Sequence, residues 1–199
     1  MTPKLQDLVE QLDLESLEVN LFRGTSRDLG GHSVFGGQVI GQAMVAASRT
    51  VEDRRPHSLH AYFLLPGDMD APIVYEVDRL RDGSSFSARR VQAIQHGRPI
   101  LSMMASFQID EGGLEHHLPM PEVPPPESLT PIDELRETWF AAVPELPQAV
   151  RDVLTQPLAI EFRPVRLQPD RHCAQDAWPL VVFARHDGRQ PRSCAVVSP

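Results

Sequence analysis

Gly36, Gly37, Gln38, Gln42, His57 and Arg89 have the residue types and spacing from which a binding site can be built. Gly36 and Gly37 open an uncharged run, Phe35 to Ser48, and if that run is a helix their amides lie at its N-terminus. Amides in that position point along the positive end of the helix dipole and suit a ligand that carries or develops negative charge. Steric packing is the other use of such a pair, because a glycine inside a helix costs about 1 kcal/mol relative to alanine. Gln38 and Gln42 follow at i, i+4 on one helix face. An unpartnered buried amide costs about 1–3 kcal/mol, so the two glutamines either satisfy strand backbone, the favoured reading, or line a pocket. His57 and His60 fall close to opposite faces of one strand and make poor joint ligands. Either alone suits a base or a hydrogen-bonded structural histidine. Arg89 and Arg90 are strand neighbours, so at most one guanidinium reaches the covered side of a sheet, and ion pairing or solvation is the ordinary fate of both.

Other chemistries are poorly supported. His116-His117 and His172-Cys173 match none of the usual zinc spacings, and no metal or cofactor is expected. A Gly-x-Ser-x-Gly elbow is missing, which argues against a serine nucleophile. Cys173 and Cys194 cannot make a disulfide framework and read as inert thiols. The formal charge of −8, from 27 acidic and 19 basic residues, opposes contact with a phosphate backbone, so no nucleic-acid partner is expected. The sequence has no apolar run near the roughly 18 residues that span a bilayer. Its first residues lack the basic-then-apolar order of a secretory signal. A cytoplasmic protein without membrane insertion is the expectation.

The elements that must position these residues follow from pattern. Hydrophobic residues are 41% and charged residues 23% of 199, ordinary for a globular chain. Leu5, Leu8, Val9, Leu12 and Leu17 predict an opening amphipathic helix, Leu21 to Arg27 a short strand, and Gly30-Gly31 a break. Phe35 to Ser48 predicts a buried helix whose Val39, Ile40, Ala43, Met44 and Ala47 face the core. Strands follow at Ser58 to Leu65, around Ile73 to Val77, at Phe86 to Gln95 and at Ile100 to Ile109, with turns at Asp82-Gly83 and His96-Gly97. Only five of the 19 prolines precede residue 111, whereas eleven lie between Pro119 and Pro169. That shift marks a boundary. Residues 1–110 read as one α+β domain, and 111–156 as a proline-rich linker with a helix from Pro131 to about Val143. Leu158 to Leu167 and Leu180 to Ala184 read as strands, and 185–199 as a tail without structure.

Five blocks in order carry a family resemblance: Leu21-Phe-Arg-Gly, Phe35-Gly-Gly-Gln-Val-Ile-Gly-Gln-Ala, His57-Ser-Leu-His-Ala-Tyr-Phe-Leu-Leu-Pro-Gly-Asp68, Arg81-Asp-Gly-Ser-Ser-Phe-Ser-Ala-Arg-Arg-Val91 and Ala105-Ser-Phe-Gln108. Across roughly residues 5–183 the chain resembles the acyl-CoA thioesterase II family, the TesB-like double hotdog enzymes. The resemblance implies two hotdog repeats, each a long helix wrapped by an antiparallel sheet, and hydrolysis of medium or long acyl-CoA to free acid and CoA by an activated water. It implies a complete hotdog in 1–110 and only the first strands of a second, truncated repeat in 157–184. The family's water-activating Asp, Ser or Thr, and Gln have no matching positions here, so no catalytic residue is carried over and weak or absent hydrolysis is expected. Acyl-CoA contacts are expected from Gly36, Gly37, Gln38, Gln42, His57 and Arg89, the last as a possible CoA phosphate ligand. The second reading is a non-catalytic hotdog module that binds acyl groups or a partner hotdog subunit. Under either, a homo-oligomer formed by sheet pairing is expected.

Overall fold

The structure, a computed structural model, describes residues 3–27, 33–119, 122–142, 147–148, 151–152, 155, 160–165, 180–185 and 195–197. Gly30-Gly31, His172, Cys173 and Cys194 lie outside the described residues. The chain forms two compact units, Asp7–Glu115 and Met1–Gln6 with His116–Pro199.

Helix α1 (Pro3–Leu12) opens the chain, and strands β1 (Glu15–Glu18) and β2 (Leu21–Gly24) form the first hairpin. Leu17, assigned from its spacing to the opening helix, belongs instead to β1. The helix has already ended, and Asn20 takes the positive φ of 60° that reverses the chain into β2. Asparagine tolerates that region better than most residues.

The uncharged run forms helix α2 (Gly36–Ser48). Its sheet-facing stripe is Val39, Ala43, Ala46 and Ala47, all buried, and the small alanines let the sheet approach closely. Ile40 and Met44, expected in the core, lie round the side of that stripe and are only partly buried against it. Strands β3 (Arg55–Phe63), β4 (Ile73–Asp82), β5 (Phe86–Gln95) and β6 (Arg98–Gln108) complete one antiparallel sheet in the order β1-β2-β4-β5-β6-β3. Strand β3 ends before Leu64 and Leu65, whose amides both donate to the Ile100 carbonyl as the chain leaves the ladder.

Alternation fixes which side of the sheet the helix covers. Val77, Val91, Met103 and Ala61 are aligned across four strands, and Phe22, Tyr75, Ala93, Leu101 and Phe63 form the next row across five. Most of these are buried under α2. At roughly 25 cal/mol per Å² of apolar surface removed from water, this contact is the main source of stability. The His96-Gly97 turn falls at the expected pair, whereas Asp82 is still in β4, opposite Ser87, and the other turn is made by Gly83 to Ser85. Gly83 donates to the Phe86 carbonyl at 2.8 Å, and His96 and Gly97 have φ of 49° and 71°, the two left-handed residues of a type I′ turn.

The other unit contains helix α3 (Ile132–Ala142) and a second antiparallel sheet of β7 (Glu161–Pro164), β8 (Leu180–Arg185) and β9 (Ala195–Val197). The tail expected to lack structure therefore holds a strand, with Val196 opposite Val181 in the ladder. A short apolar Ala-Val-Val run among polar residues is too brief to carry a period of its own.

Candidate functional site

Phe35 is the N-cap of α2, with extended backbone and no side-chain cap. The first amides of a helix have no intrahelical acceptor, and those of Gly36 and Gly37 have no hydrogen-bond partner among the described residues. Beside them lies an apolar pocket of about 460 Å³ whose walls include Val34, Gly36, Val39, Phe63, Leu65 and Ile100. This volume falls within the range of small-molecule sites. The site thus joins free amide donors to an apolar cavity, a combination suited to a carbonyl or other acceptor attached to a hydrocarbon chain.

Packing also explains the glycines. A Cβ on Gly36 would lie 2.8 Å from the Phe63 ring, and one on Gly37 would lie 2.5 Å from the ring of Phe35. Two aromatic rings therefore crowd the helix start, and Phe63 is itself 57% exposed. Gly41 accommodates Leu12 of α1 in the same way, with Cδ2 at 3.2 Å from a Cβ built there.

Gln38 and Gln42 share a face, as their spacing predicts, but they do not line this pocket. Gln42 Nε2 donates to the carbonyls of Gln11 and Thr25, and its Oε1 accepts from the buried Tyr75 hydroxyl at 2.7 Å. Gln38 Nε2 donates to the same Thr25 carbonyl, and its Oε1 accepts from the Gln11 side chain and the Arg27 amide. Both join α1, α2 and the residue after β2, so they satisfy backbone, but that of a helix and a loop rather than the strand backbone expected. Gly24 is needed there, since a Cβ would sit 2.6 Å from Gln42 Oε1. Burial raises the Tyr75 hydroxyl pKa strongly, so this ring stays a neutral donor.

Arg89 does not reach a ligand. It is fully buried, and its five N–H groups have five protein partners: Thr50 Oγ1, the carbonyls of Thr50, Arg81 and Ala88, and Asp82 Oδ1 at 2.6 Å. No donor is left for a CoA phosphate. Asp82 also accepts from Ser87 and Arg79, and the Arg89 hydrogen bond is the main cause that lowers its pKa to about 2. Arg90 lies on the other face and pairs with Asp78 at 2.7 Å.

His57 also stands away from the pocket. A register shift between Pro56 and Ser58 turns it to the outer face, where Nε2 lies 2.8 Å from Ser106 Oγ and the ring meets Phe86 edge-on. His60, opposite Met104 and in ring contact with Tyr62, is on that same face, so the bulge removes the opposite-face placement that simple alternation gives. A larger cleft of about 650 Å³ at the far end of α2 includes Arg49, Arg54 and Arg79. Their guanidinium groups are engaged by Asp13 and the Leu14 carbonyl, by the carbonyls of Gly83 and Ser84, and by Asp82. Among the described residues no group of three His, Cys, Asp or Glu side chains is arranged to hold a metal, and no helix is long and apolar enough to cross a membrane.

A long helix wrapped by a six-stranded antiparallel sheet, with free amides where the helix begins, defines a hotdog domain. Comparison with known proteins agrees. The family model described as the acyl-CoA thioesterase N-terminal domain matches residues 25–108. The chain is 43% identical over 164 residues to human acyl-coenzyme A thioesterase 8, an alignment that covers 79% of this chain and 51% of that protein. It is 47% identical over 146 residues to acyl-CoA thioesterase 2 of Haemophilus influenzae, covering 73% and 51%. Among solved structures, an acyl-CoA thioesterase II, TesB2, from Mycobacterium marinum superposes with a TM-score of 0.66 at 38% identity, covering 94% of this chain and 62% of that one. The chain belongs to the TesB-like acyl-CoA thioesterase family, a family of thioester hydrolases. It spans about half the length of the curated relatives it matches.

Proposed function

We propose that the Asp7–Glu115 unit is the acyl-CoA-binding hotdog of a cytoplasmic thioesterase that releases a free fatty acid and CoA. The observation that carries this is the pair of unpartnered amides at Gly36 and Gly37 beside an apolar pocket. In that reading the acyl chain occupies the pocket, and the thioester carbonyl oxygen accepts from the helix N-terminus. Water attacks the carbonyl carbon, the C–S bond breaks, and the thiolate leaves with a proton. Donors aimed at the developing oxyanion lower the barrier to that step.

The group that takes the proton from water is not supplied by Gln42, His57 or Arg89, whose partners and positions are accounted for above. Binding with slow hydrolysis is therefore expected of this chain by itself. Titration with a medium-chain acyl-CoA, followed by free-thiol detection, tests both parts. Saturable binding with turnover orders of magnitude below that of a full-length relative agrees with the proposal. Turnover equal to that relative, and lost in His57→Ala or Gln42→Ala, means that this unit holds a complete catalytic site.

The second reading, a non-catalytic module that pairs with another hotdog, is favoured by one observation. Strand β3 is a sheet edge along which Leu59, Tyr62 and Phe63 are exposed.

A further inference from the structure

Gln95 is the last residue of β5, on the helix-facing side that also bears Val91 and Ala93. It is only 4% exposed, and its side chain touches neither the free amides nor any residue of the pocket wall through a hydrogen bond. Its amide is spent on one loop. Oε1 accepts from the Asp68 amide at 2.8 Å, and Nε2 donates to the carbonyls of Asp68 and Ala71, each at 2.8 Å. The next residue, His96, places Nε2 2.8 Å from Asp68 Oδ2. The end of the β5–β6 hairpin thus grips both the backbone and the side chain of Asp68.

The gripped loop, residues 64–72, is a wall of the pocket through Leu64, Leu65, Pro66 and Gly67. It is also tied to the start of α2. The Gly67 carbonyl accepts from the Val34 amide at 3.0 Å, and a Cβ on Gly67 would lie 3.0 Å from the Cβ of Val34. Val34 immediately precedes the N-cap Phe35. A continuous path of hydrogen bonds and direct packing therefore runs from Gln95 through Asp68 and Gly67 to Val34 and the amides of Gly36 and Gly37.

We propose that Gln95 is a positioning residue, which sets the spacing between the pocket wall and the free amides of α2 by holding the 64–72 loop against Val34. This rests on the reading of that pocket as the acyl site. A buried glutamine at the end of an apolar strand needs such a reason, since leaving its amide unpaired is costly. All three of its hydrogen bonds reach main-chain atoms of the loop, so the loop's own side chains are free to vary without losing the grip.

The test is residue-resolved amide hydrogen exchange on the full chain without ligand, in Gln95→Met and Gln95→Glu. Gln92→Met, on the outer face of the same strand, is the control. Gln95→Met removes every hydrogen bond to the loop at similar volume. Gln95→Glu keeps an acceptor for the Asp68 amide but loses the donors to Asp68 and Ala71. Exchange at Val34, Leu64, Leu65 and Asp68 should rise by about tenfold or more in Gln95→Met and by less in Gln95→Glu. Val77 and Val91, in the sheet centre, should not change, nor should any of these amides in the control. A rise confined to the loop, with Val34 unchanged, overturns the proposal, because the coupling to α2 would be absent. A uniform rise across β4 to β6, or failure of both variants to fold, also overturns it, since Gln95 would then be a general core residue. Acyl-CoA titration of the unmodified chain separates the two ideas: no saturable binding there defeats the acyl-site reading, whereas the exchange result alone decides the Gln95 path.

Discussion

Proline at position 36 removes one of the free amides while leaving the helix a compatible first residue. Proline is tolerated at the first helical position, and it favours an extended preceding residue, which Phe35 already is. The Phe63 ring must turn away from the new Cβ, and it is half-exposed and able to do so. Gly36→Pro should therefore keep the helical circular dichroism and weaken acyl-CoA binding by about fivefold to tenfold, the value of one hydrogen bond. Unchanged affinity by titration would mean that this amide does not touch the ligand. The Arg89–Asp82 pair makes a prediction about acid. Asp82 has a folded pKa of about 2 against an ordinary 3.8. A depressed folded pKa stabilises the fold above the ordinary value, and that contribution is lost as pH falls toward the folded one. Thermal midpoints should drop between pH 4 and pH 2, and Asp82→Asn should start lower and fall less over that window. Parallel curves for the two proteins would assign the acid loss to other carboxylates, among them Asp68, whose pKa is lowered chiefly by its hydrogen bond to His96.

At the scale of elements, the stripe of small residues on α2 decides how closely the helix can approach the sheet. Ala43 is fully buried at the centre of that stripe, and Ala43→Leu should destabilise the unit by about 1–3 kcal/mol through overpacking. Met44→Leu, at the partly buried flank, should cost less than about 1.5 kcal/mol. Urea unfolding of both variants checks the order, and equal losses would contradict the orientation of the helix. The sequence made much of this architecture legible. The absence of charge from Gly36 to Ser48 marked the helix, alternation of Ile73, Tyr75 and Val77 marked β4, and Asp82-Gly83 and His96-Gly97 marked the hairpins. Strand β1 was not legible, because Glu15–Glu18 is exposed throughout and is a strand only through its pairing with β2. The helix-terminal glycines stood out by type. The particular partners of Gln38, Gln42 and Arg89 did not, because they are distant in sequence: Thr50 lies 39 residues from Arg89, and Gln11 lies 31 from Gln42. Gln95 was hidden for the same reason, with Asp68 27 residues away.

For the whole molecule, sheet energetics single out the edge formed by β3 as the feature that governs assembly. Its inner side pairs with β6, and among the described residues no strand pairs with its outer side. An unpaired edge offers a row of amides and carbonyls, and natural proteins guard such edges with charge, proline or cover. Over Ser58 to Phe63 this strand carries no Lys, Arg, Asp, Glu or Pro, among the described residues nothing pairs with its outer side, and Leu59 and Tyr62 are 46% and 64% exposed. Antiparallel pairing of β3 with the same strand of a second copy would satisfy the edge and cover those side chains, extending the sheet through the two-fold axis. The formal charge of −8 opposes close approach at long range, but that repulsion is screened over about 8–10 Å at ordinary salt. Pairing should therefore strengthen as salt rises, the reverse of an interface built on opposite charges. Light scattering at micromolar concentration should give a dimer or larger species, more of it at 0.5 M than at 0.05 M salt. Leu59→Lys with Tyr62→Lys places two like charges on the edge and should yield a folded monomer with an unchanged circular dichroism spectrum. A monomer in the unmodified chain at both salt concentrations would mean that the β3 edge is covered within the chain itself or is too short of apolar area to hold a partner.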